Sequence, residues 1–517
     1  MYFPFELSFV FLSIPLLSLM LGWGFCFRDK FLKFSLALRV IELFSALLLL
    51  LHVFLNNSFE FNFFSGTFFS TLQIYFGLRA DELSVVILSM ILFLSLCIFK
   101  YSIRYFDGDP NKYRFFKDYQ FTIFFVVLLV LSNNLLMFFL AWHGISYGLH
   151  KLLLYYPNRP KAILAANKKW FVSRIGDCSL LIAIILTYYF FNTLNFSELI
   201  SISHNSVTMT QLQNEKYSSF IGVFVALGAL AKSAQFPFHF WLPETMETPT
   251  PVSALMHAGI INAGGFLILR FSPILIHATF FHTILSIVGG FTAVFAALVM
   301  MTQTDIKKQL AYSTISQLGF MMIQCGIGAY TMALFHMIAH GFYKAYSFLS
   351  TASILEENKA PKRNLSNFGL IFSYSVSLLF ILIALFQKEL PFNPAQFIYI
   401  GILILALTQV IGSRKELVFA LRKNPLYSGL FFVISISLYL FFEVEVSKKF
   451  KYIFPSDFDS GIINIISTIF IFVLFSIGIY IAKMIQDLSN DKSKKIWMFF
   501  WNGGYISAIS SKLFKKE

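Results

Sequence analysis

Charged residues are scarce: Asp, Glu, Lys and Arg make up 13% of the 517 residues, about half the share of a soluble globular protein. Cysteine is scarcer still. The four present, Cys26, Cys97, Cys178 and Cys325, stand far apart with no Cys-x-x-Cys pair, and so imply no disulfide framework, zinc site or iron–sulfur cluster. There is no phosphate-cradling Walker loop and no glycine fingerprint for a dinucleotide, so the chain is expected to hold no cofactor and no redox or hydrolytic site of its own. The net charge of +14 does not point to nucleic acid, because the basic residues fall in short segments between apolar stretches and form no continuous stripe.

What fills the chain is apolar: 57% hydrophobic and 18% aromatic residues, with a mean hydropathy of +0.72. A hydrocarbon layer of about 30 Å takes about 20 apolar residues to cross as a helix. Stretches of that kind lie near 7–25, 34–55, 83–99, 119–132, 134–153, 170–190, 217–245, 251–269, 276–301, 309–328, 331–354, 368–386, 396–412, 427–443 and 462–482. The sequence therefore predicts an all-α, polytopic membrane protein of about 15 transmembrane helices. Glu6 precedes the first stretch, with neither a basic leader nor a small-residue cleavage site, so this stretch is expected to remain as a helix.

Cations gather in alternate loops, as the positive-inside rule requires. Arg28, Lys30 and Lys33 form one group, Lys100 to Lys117 a second, and Arg159, Lys161, Lys168 and Lys169 a third. Lys307 and Lys308, Lys359 to Arg363, and Arg414 to Lys423 follow on the same side, with Lys448, Lys449 and Lys451 the exception. An outside N-terminus and a cytoplasmic C-terminus are predicted.

An ionisable side chain at the centre of a membrane helix costs about 2.5–3.5 kcal/mol on insertion scales, so each one marks a candidate site. Lys232 follows the run IGVFVALGALA and is placed near mid-membrane, where a lysine can hold or relay a proton; the competing reading is a lysine paired with a carboxylate to tie two helices. Pro237 and Pro243 then remove backbone donors and predict a broken helix, the device that exposes helix ends at the midplane of transporters. Glu244 and Glu247 near the end of this span, and His257 in the next, have solvated-end and core-histidine alternatives. His336, His340 and Lys344 recur at four-residue steps, which lines them along one helix face as a short proton wire. Zinc chelation by the two histidines competes, but no third ligand is evident and Lys344 would repel a cation. Arg174 and Asp177, at i and i+3, read as an intrahelical ion pair that also tunes Lys232. The small residues around 253–265 suit close helix packing.

The run KSAQFPFHFWLPETMETPTPVSALMHAGIINAGG from Lys232 to Gly265, with TDIKKQLAYSTISQLGF at 304–320 and HMIAHGFYKAYSFL at 336–349, resembles the antiporter-like membrane subunits of respiratory complex I and the Mrp sodium/proton antiporters. The resemblance covers roughly 80–355 and implies two inverted helical repeats, a buried polar axis, and proton-relay roles for Lys232, His257, His336, His340 and Lys344. It divides the chain into N-terminal helices (1–115), an antiporter-like core (116–360), divergent C-terminal helices (361–484) and a basic amphipathic tail (485–517), expected to dock a partner or lie on anionic lipid. Three departures stand out. Trp142, His143 and Gly144 replace the family's Trp-Glu-Gly, which removes the usual acidic partner of Lys232. The later Pro-Pro-Phe and Ser-Lys run is absent beyond 368, with Lys388 the nearest cation. No lateral helix follows the last stretch, so a complex I arm is not expected to be braced. These features, with His150, Lys151 and the tail WNGGYISAISSKLF, resemble the DabB-type branch of energy-coupled inorganic-carbon pumps. That resemblance implies a proton- or sodium-conducting subunit in a bacterial inner membrane, working with a large DabA-type partner that holds zinc.

Overall fold

The computed structural model describes residues 5–24, 29–56, 58–68, 72–204, 215–351, 447–450, 453–454 and 462–514. Helices dominate: α1 Phe5–Gly24, α2 Asp29–Asn56, α3 Glu82–Tyr105, α4 Lys112–Leu131, α5 Leu135–Leu153, α6 Pro160–Phe191, α7 Phe196–His204 and α8 Glu215–Lys232. Then come α9 Thr250–Ala258, α10 Ala263–Leu275, α11 Thr279–Thr302, α12 Ile306–Gly326, α13 Tyr330–Leu349, α14 Ile462–Gln486, α15 Asp491–Trp501 and α16 Ile506–Phe514. Among the described residues, six helical segments are long and apolar enough to cross a membrane, namely Leu32–Asn56, Glu82–Tyr105, Pro160–Phe191, Thr250–Leu275, Thr279–Thr302 and Ile466–Gln486. The stretches expected near 368–386, 396–412 and 427–443, and Lys388, lie outside the described residues.

The all-α expectation needs one correction. Phe59–Phe68 (β1) and Leu72–Ala80 (β2) form an antiparallel hairpin, pairing Phe59 with Ala80 and Phe68 with Leu72. Its aromatic and β-branched residues suit a pleated surface, and polar side chains tie it down. Asn133 Oδ1 accepts from the Gly77 amide at 3.1 Å, and Asn134 Nδ2 donates to the Tyr75 carbonyl at 2.7 Å. At the hairpin's end Asp81 caps α3, accepting from the Ser84 amide at 2.8 Å. Asp81 is fully buried between Arg79, at 2.7 Å, and Arg270 of α10, at 2.5 Å.

A second correction concerns the stretch at 251–269, read as one helix. It breaks at Gly259–Asn262, between α9 and α10. Asn262 Nδ2 turns back to the Ala258 carbonyl at 2.9 Å, and the Ile261 carbonyl, released from the ladder, accepts from Ser233 Oγ at 3.0 Å. Ser233 is the first residue beyond α8, so the predicted break after Lys232 and this second one meet. Pro237 precedes the first of the short helical turns that follow α8, and Pro243 lies in the next.

Small residues let these helices touch. A Cβ on Gly264 would fall 2.6 Å from the Ala229 carbonyl of α8, and one on Gly319 of α12 would fall 2.7 Å from the Gly289 carbonyl of α11. The tail does not project from the bundle. Helix α15 packs on α14 and α11, and α16 packs on α6, with Gln303 Nε2 donating to the Trp501 carbonyl at 3.1 Å.

Candidate functional site

Helix α8 ends with Lys232 beside α5 and α6. The Lys232 ammonium donates to Ser146 Oγ at 2.8 Å and to the Trp142 carbonyl at 3.2 Å, and it lies 4.3 Å from the centre of the Trp142 ring. No carboxylate among the described residues bonds to it. The nearest link to one runs through Trp142, whose Nε1 donates to Asp177 Oδ1 at 3.0 Å. Asp177 is held by Arg174 at 2.7 Å, the ion pair expected from their spacing, and by His143 Nδ1 at 3.0 Å. His143, standing where the family carries its glutamate, thus faces Asp177 and Arg174 instead of Lys232.

Sequence reasoning missed the next element of the row. Lys168 and Lys169, taken for loop cations, lie within α6, which begins at Pro160, and both are buried. They are tolerated inside because each is bonded: Lys169 donates to the Ser146 carbonyl at 2.7 Å, and Lys168 to Glu244 at 2.7 Å and Ser511 Oγ at 2.7 Å. An unpaired buried ammonium would be far costlier. The signal was present in Pro160 at a helix start and in the helix-favouring Ala162, Ala165 and Ala166 that follow it. Glu247 stands apart at the surface near Arg159, 3.9 Å away.

The second constellation sits between α13 and α12. His336 Nδ1 meets Gln324 Oε1 at 2.9 Å, His340 Nδ1 meets Gln317 Oε1 at 2.7 Å, and Lys344 donates to Ser313 Oγ at 2.7 Å and the Leu310 carbonyl at 3.2 Å. The structure therefore brings the three residues onto one face, the imidazole centres of His336 and His340 being 6.4 Å apart. His257, in the last turn of α9, joins them through Thr314: its Nδ1 lies 3.0 Å from Thr314 Oγ1, which donates to the same Leu310 carbonyl at 3.0 Å. Among the described residues, Nε2 of His257 and Nε2 of His340 are buried without a hydrogen-bond partner. The polar face of α12 is a partner that sequence reasoning passed over, although Ser313, Gln317 and Gln324 recur at helical spacing.

A further buried ion pair was also missed: Arg39 and Glu42 of α2 lie 3.4 Å apart, and Ser18 Oγ of α1 donates to Glu42 at 2.8 Å. Among the described residues no three of His, Cys, Asp and Glu gather into a group that could hold a metal ion.

Apolar spanning helices, two facing helix breaks and rows of lysine and histidine inside the bundle define a multi-pass membrane protein of antiporter-like build. Residues 132–413 match the family model described as NADH:quinone oxidoreductase/Mrp antiporter, TM, and residues 67–116 match that of the complex I chain 5 N-terminus. The chain belongs to this family of membrane subunits. It is 42% identical over 287 residues to a probable inorganic carbon transporter subunit DabB of Hydrogenovibrio crunogenus, covering 55% of this chain and 54% of the relative. It is 32% identical over 454 residues to NADH-ubiquinone oxidoreductase chain 5 of Chondrus crispus, covering 84% of this chain and 65% of that one. The chain thus spans about half the length of the inorganic-carbon relative. The solved Mrp complex from Dietzia sp. shares the fold over 96% of this chain and 56% of its own, with a TM-score of 0.55 and 20% identity.

Proposed function

We propose that this chain is the cation-conducting membrane subunit of an energy-coupled inorganic-carbon uptake complex. The observation that carries the reading is the hydrogen-bonded row Lys232–Ser146–Lys169 inside the bundle. Two buried lysines held on the hydroxyl and on the carbonyl of one residue can exchange protons through water between them, the carbonyl serving only as an acceptor that fixes Lys169, and the His336–His340–Lys344 face supplies a second segment. Asp177, acting through Trp142, takes the part that a directly paired glutamate plays elsewhere in the family. About 15 spanning helices in two inverted repeats, a bacterial inner membrane, an outside N-terminus and a cytoplasmic C-terminus complete the proposal.

One proton moving down a potential of about 100 mV releases about 2.3 kcal/mol, enough to shift a two-state partner more than tenfold. The gradient drives the partner; this chain supplies the path. The carbon role is supported by the name and identity of the DabB relative, and the partner is proposed to be a large DabA-type subunit that hydrates CO2 at zinc. Affinity purification of the tagged chain in mild detergent, with mass spectrometry and a zinc assay, tests this. A single large zinc-containing companion is expected. Recovery of quinone-reducing or small Mrp subunits overturns the carbon reading and favours the alternative, a proton-pumping subunit of an NADH:quinone oxidoreductase or an Mrp-type antiporter. The long match to complex I chain 5 supports that alternative.

A further inference from the structure

Lys168, next in sequence to Lys169, opens onto a second polar group. Consecutive helical residues point about 100° apart, so Lys168 faces away from Ser146 and into a different polar group. There its ammonium meets Glu244 at 2.7 Å, Ser511 Oγ at 2.7 Å and the Ser507 carbonyl at 3.4 Å. Ser507 Oγ in turn donates to Glu244. Two of the three acceptors of Lys168 and one donor to Glu244 thus come from α16, a nine-residue helix at the far end of the sequence.

Access to solvent is graded along this group. The Glu244 side chain is 20% exposed and that of Lys168 is 0% exposed. Glu244 therefore stands at the boundary with water, and Lys168 stands just behind it, next in sequence to a lysine of the inner row. The helix that closes over them is lightly built. It presents Ile509 outward at 63% exposure and joins α15 through Gly503, Gly504 and Tyr505, all at positive φ (57°, 63° and 61°). Gly503 also lies against the rest of the bundle, for a Cβ there would come 2.8 Å from the hydroxyl of Tyr312, next in α12 to the Ser313 that holds Lys344. A hinge of a few residues linking a short helix to a rigid body is the usual construction of a lid. Serine hydroxyls, which water can replace, are suited to a contact that opens.

We propose that Lys168 and Glu244 form the port through which the inner row exchanges protons with water, and that α16 is its lid, closed by Ser507 and Ser511. The proposal rests on the cation-conducting reading above. With the lid open, Glu244 takes a proton from water and passes it to a neutral Lys168, or returns one from a charged Lys168; Lys168 and Lys169 bond to different groups, so the proton crosses between them on intervening water, and no other bond changes.

The test is proton flux into liposomes containing the full-length chain, with a trapped pH dye and an imposed potential. In S507A/S511A the lid loses its side-chain hydrogen bonds, and flux without a partner is expected to rise about tenfold. Lys168→Met in that background is expected to return it to the wild-type level. Flux in S507A/S511A equal to that of the wild-type chain overturns the lid. If the flux rises and Lys168→Met does not suppress it, the port is overturned. Lys232→Met in the same background separates the two claims, because persistence of the raised flux overturns the inner row itself. Where S507A/S511A does not assemble, hydrogen–deuterium exchange of the wild-type chain decides: amides of 506–514 exchanging as slowly as those of α12 contradict a lid, and faster exchange supports it.

Discussion

Lys232 and Lys169 converge on a single residue: Ser146 accepts a hydrogen bond from Lys232 on its hydroxyl at 2.8 Å and one from Lys169 on its carbonyl at 2.7 Å. Two ammonium groups would repel at such a place unless one is neutral or their protons are shared, so Ser146 is the junction at which the charge state of one lysine is felt by the other. Ser146→Ala keeps the carbonyl and removes the hydroxyl. Hydrogen bonds to charged groups contribute about 1.5–3 kcal/mol, so proton flux in liposomes is expected to fall about tenfold or more. Unchanged flux would show that the lysines do not communicate there.

The α12 face makes a parallel prediction for the second row. Gln317→Leu removes the partner of His340 Nδ1 while keeping the volume apolar. Flux is expected to fall severalfold while the detergent-solubilised chain retains its thermal midpoint. A fall in midpoint with normal flux would reduce the histidines to packing.

Arg270 is predicted to be structural. Burial pushes the Asp81 carboxyl up, and Arg270 and Arg79 outweigh that and hold it below the ordinary carboxylate range. The stability it contributes is therefore complete above that range and lost only as pH falls through the lower value. The thermal midpoint is expected to stay flat from about pH 8 to about pH 5 as far as this group decides it. Arg270→Leu leaves a buried charge with one partner fewer and is expected to cost about 3 kcal/mol, read as an early unfolding step in detergent. A midpoint equal to that of the wild-type chain would contradict the structural role of Arg270.

Gly319 tests the packing. With α11 and α12 in backbone contact, Gly319→Val forces them apart. The expected cost is about 1–3 kcal/mol, with flux falling because α12 carries the partners of His340 and Lys344. Normal stability would mean that the interface yields.

Much of this was legible in the sequence, for identifiable reasons. Lys232, His336, His340 and Lys344 stand out because charge in an apolar run is costly, and Pro237 and Pro243 mark a break that backbone chemistry dictates. Lys168 and Lys169 look like loop cations because nothing local reveals that Glu244 and Ser146, distant in sequence, meet them. The break at Gly259–Asn262 has no proline to announce it. The hairpin strands alternate apolar and polar residues, as in Phe59-Glu60-Phe61-Asn62 and Leu72-Gln73-Ile74, but at ten and nine residues they are too short to stand out among spanning stretches, and the fold-back of the tail depends on contacts between residues far apart in the chain, such as Ser507 with Glu244.

The most direct test of the account is Lys232→Met in the full chain reconstituted in liposomes. Lys232 bonds only to a hydroxyl and a carbonyl among the described residues, so its loss breaks no ion pair and assembly and thermal midpoint should be kept. The account predicts that proton flux is lost while the protein remains intact. Flux at the wild-type level in a properly assembled Lys232→Met protein would contradict it.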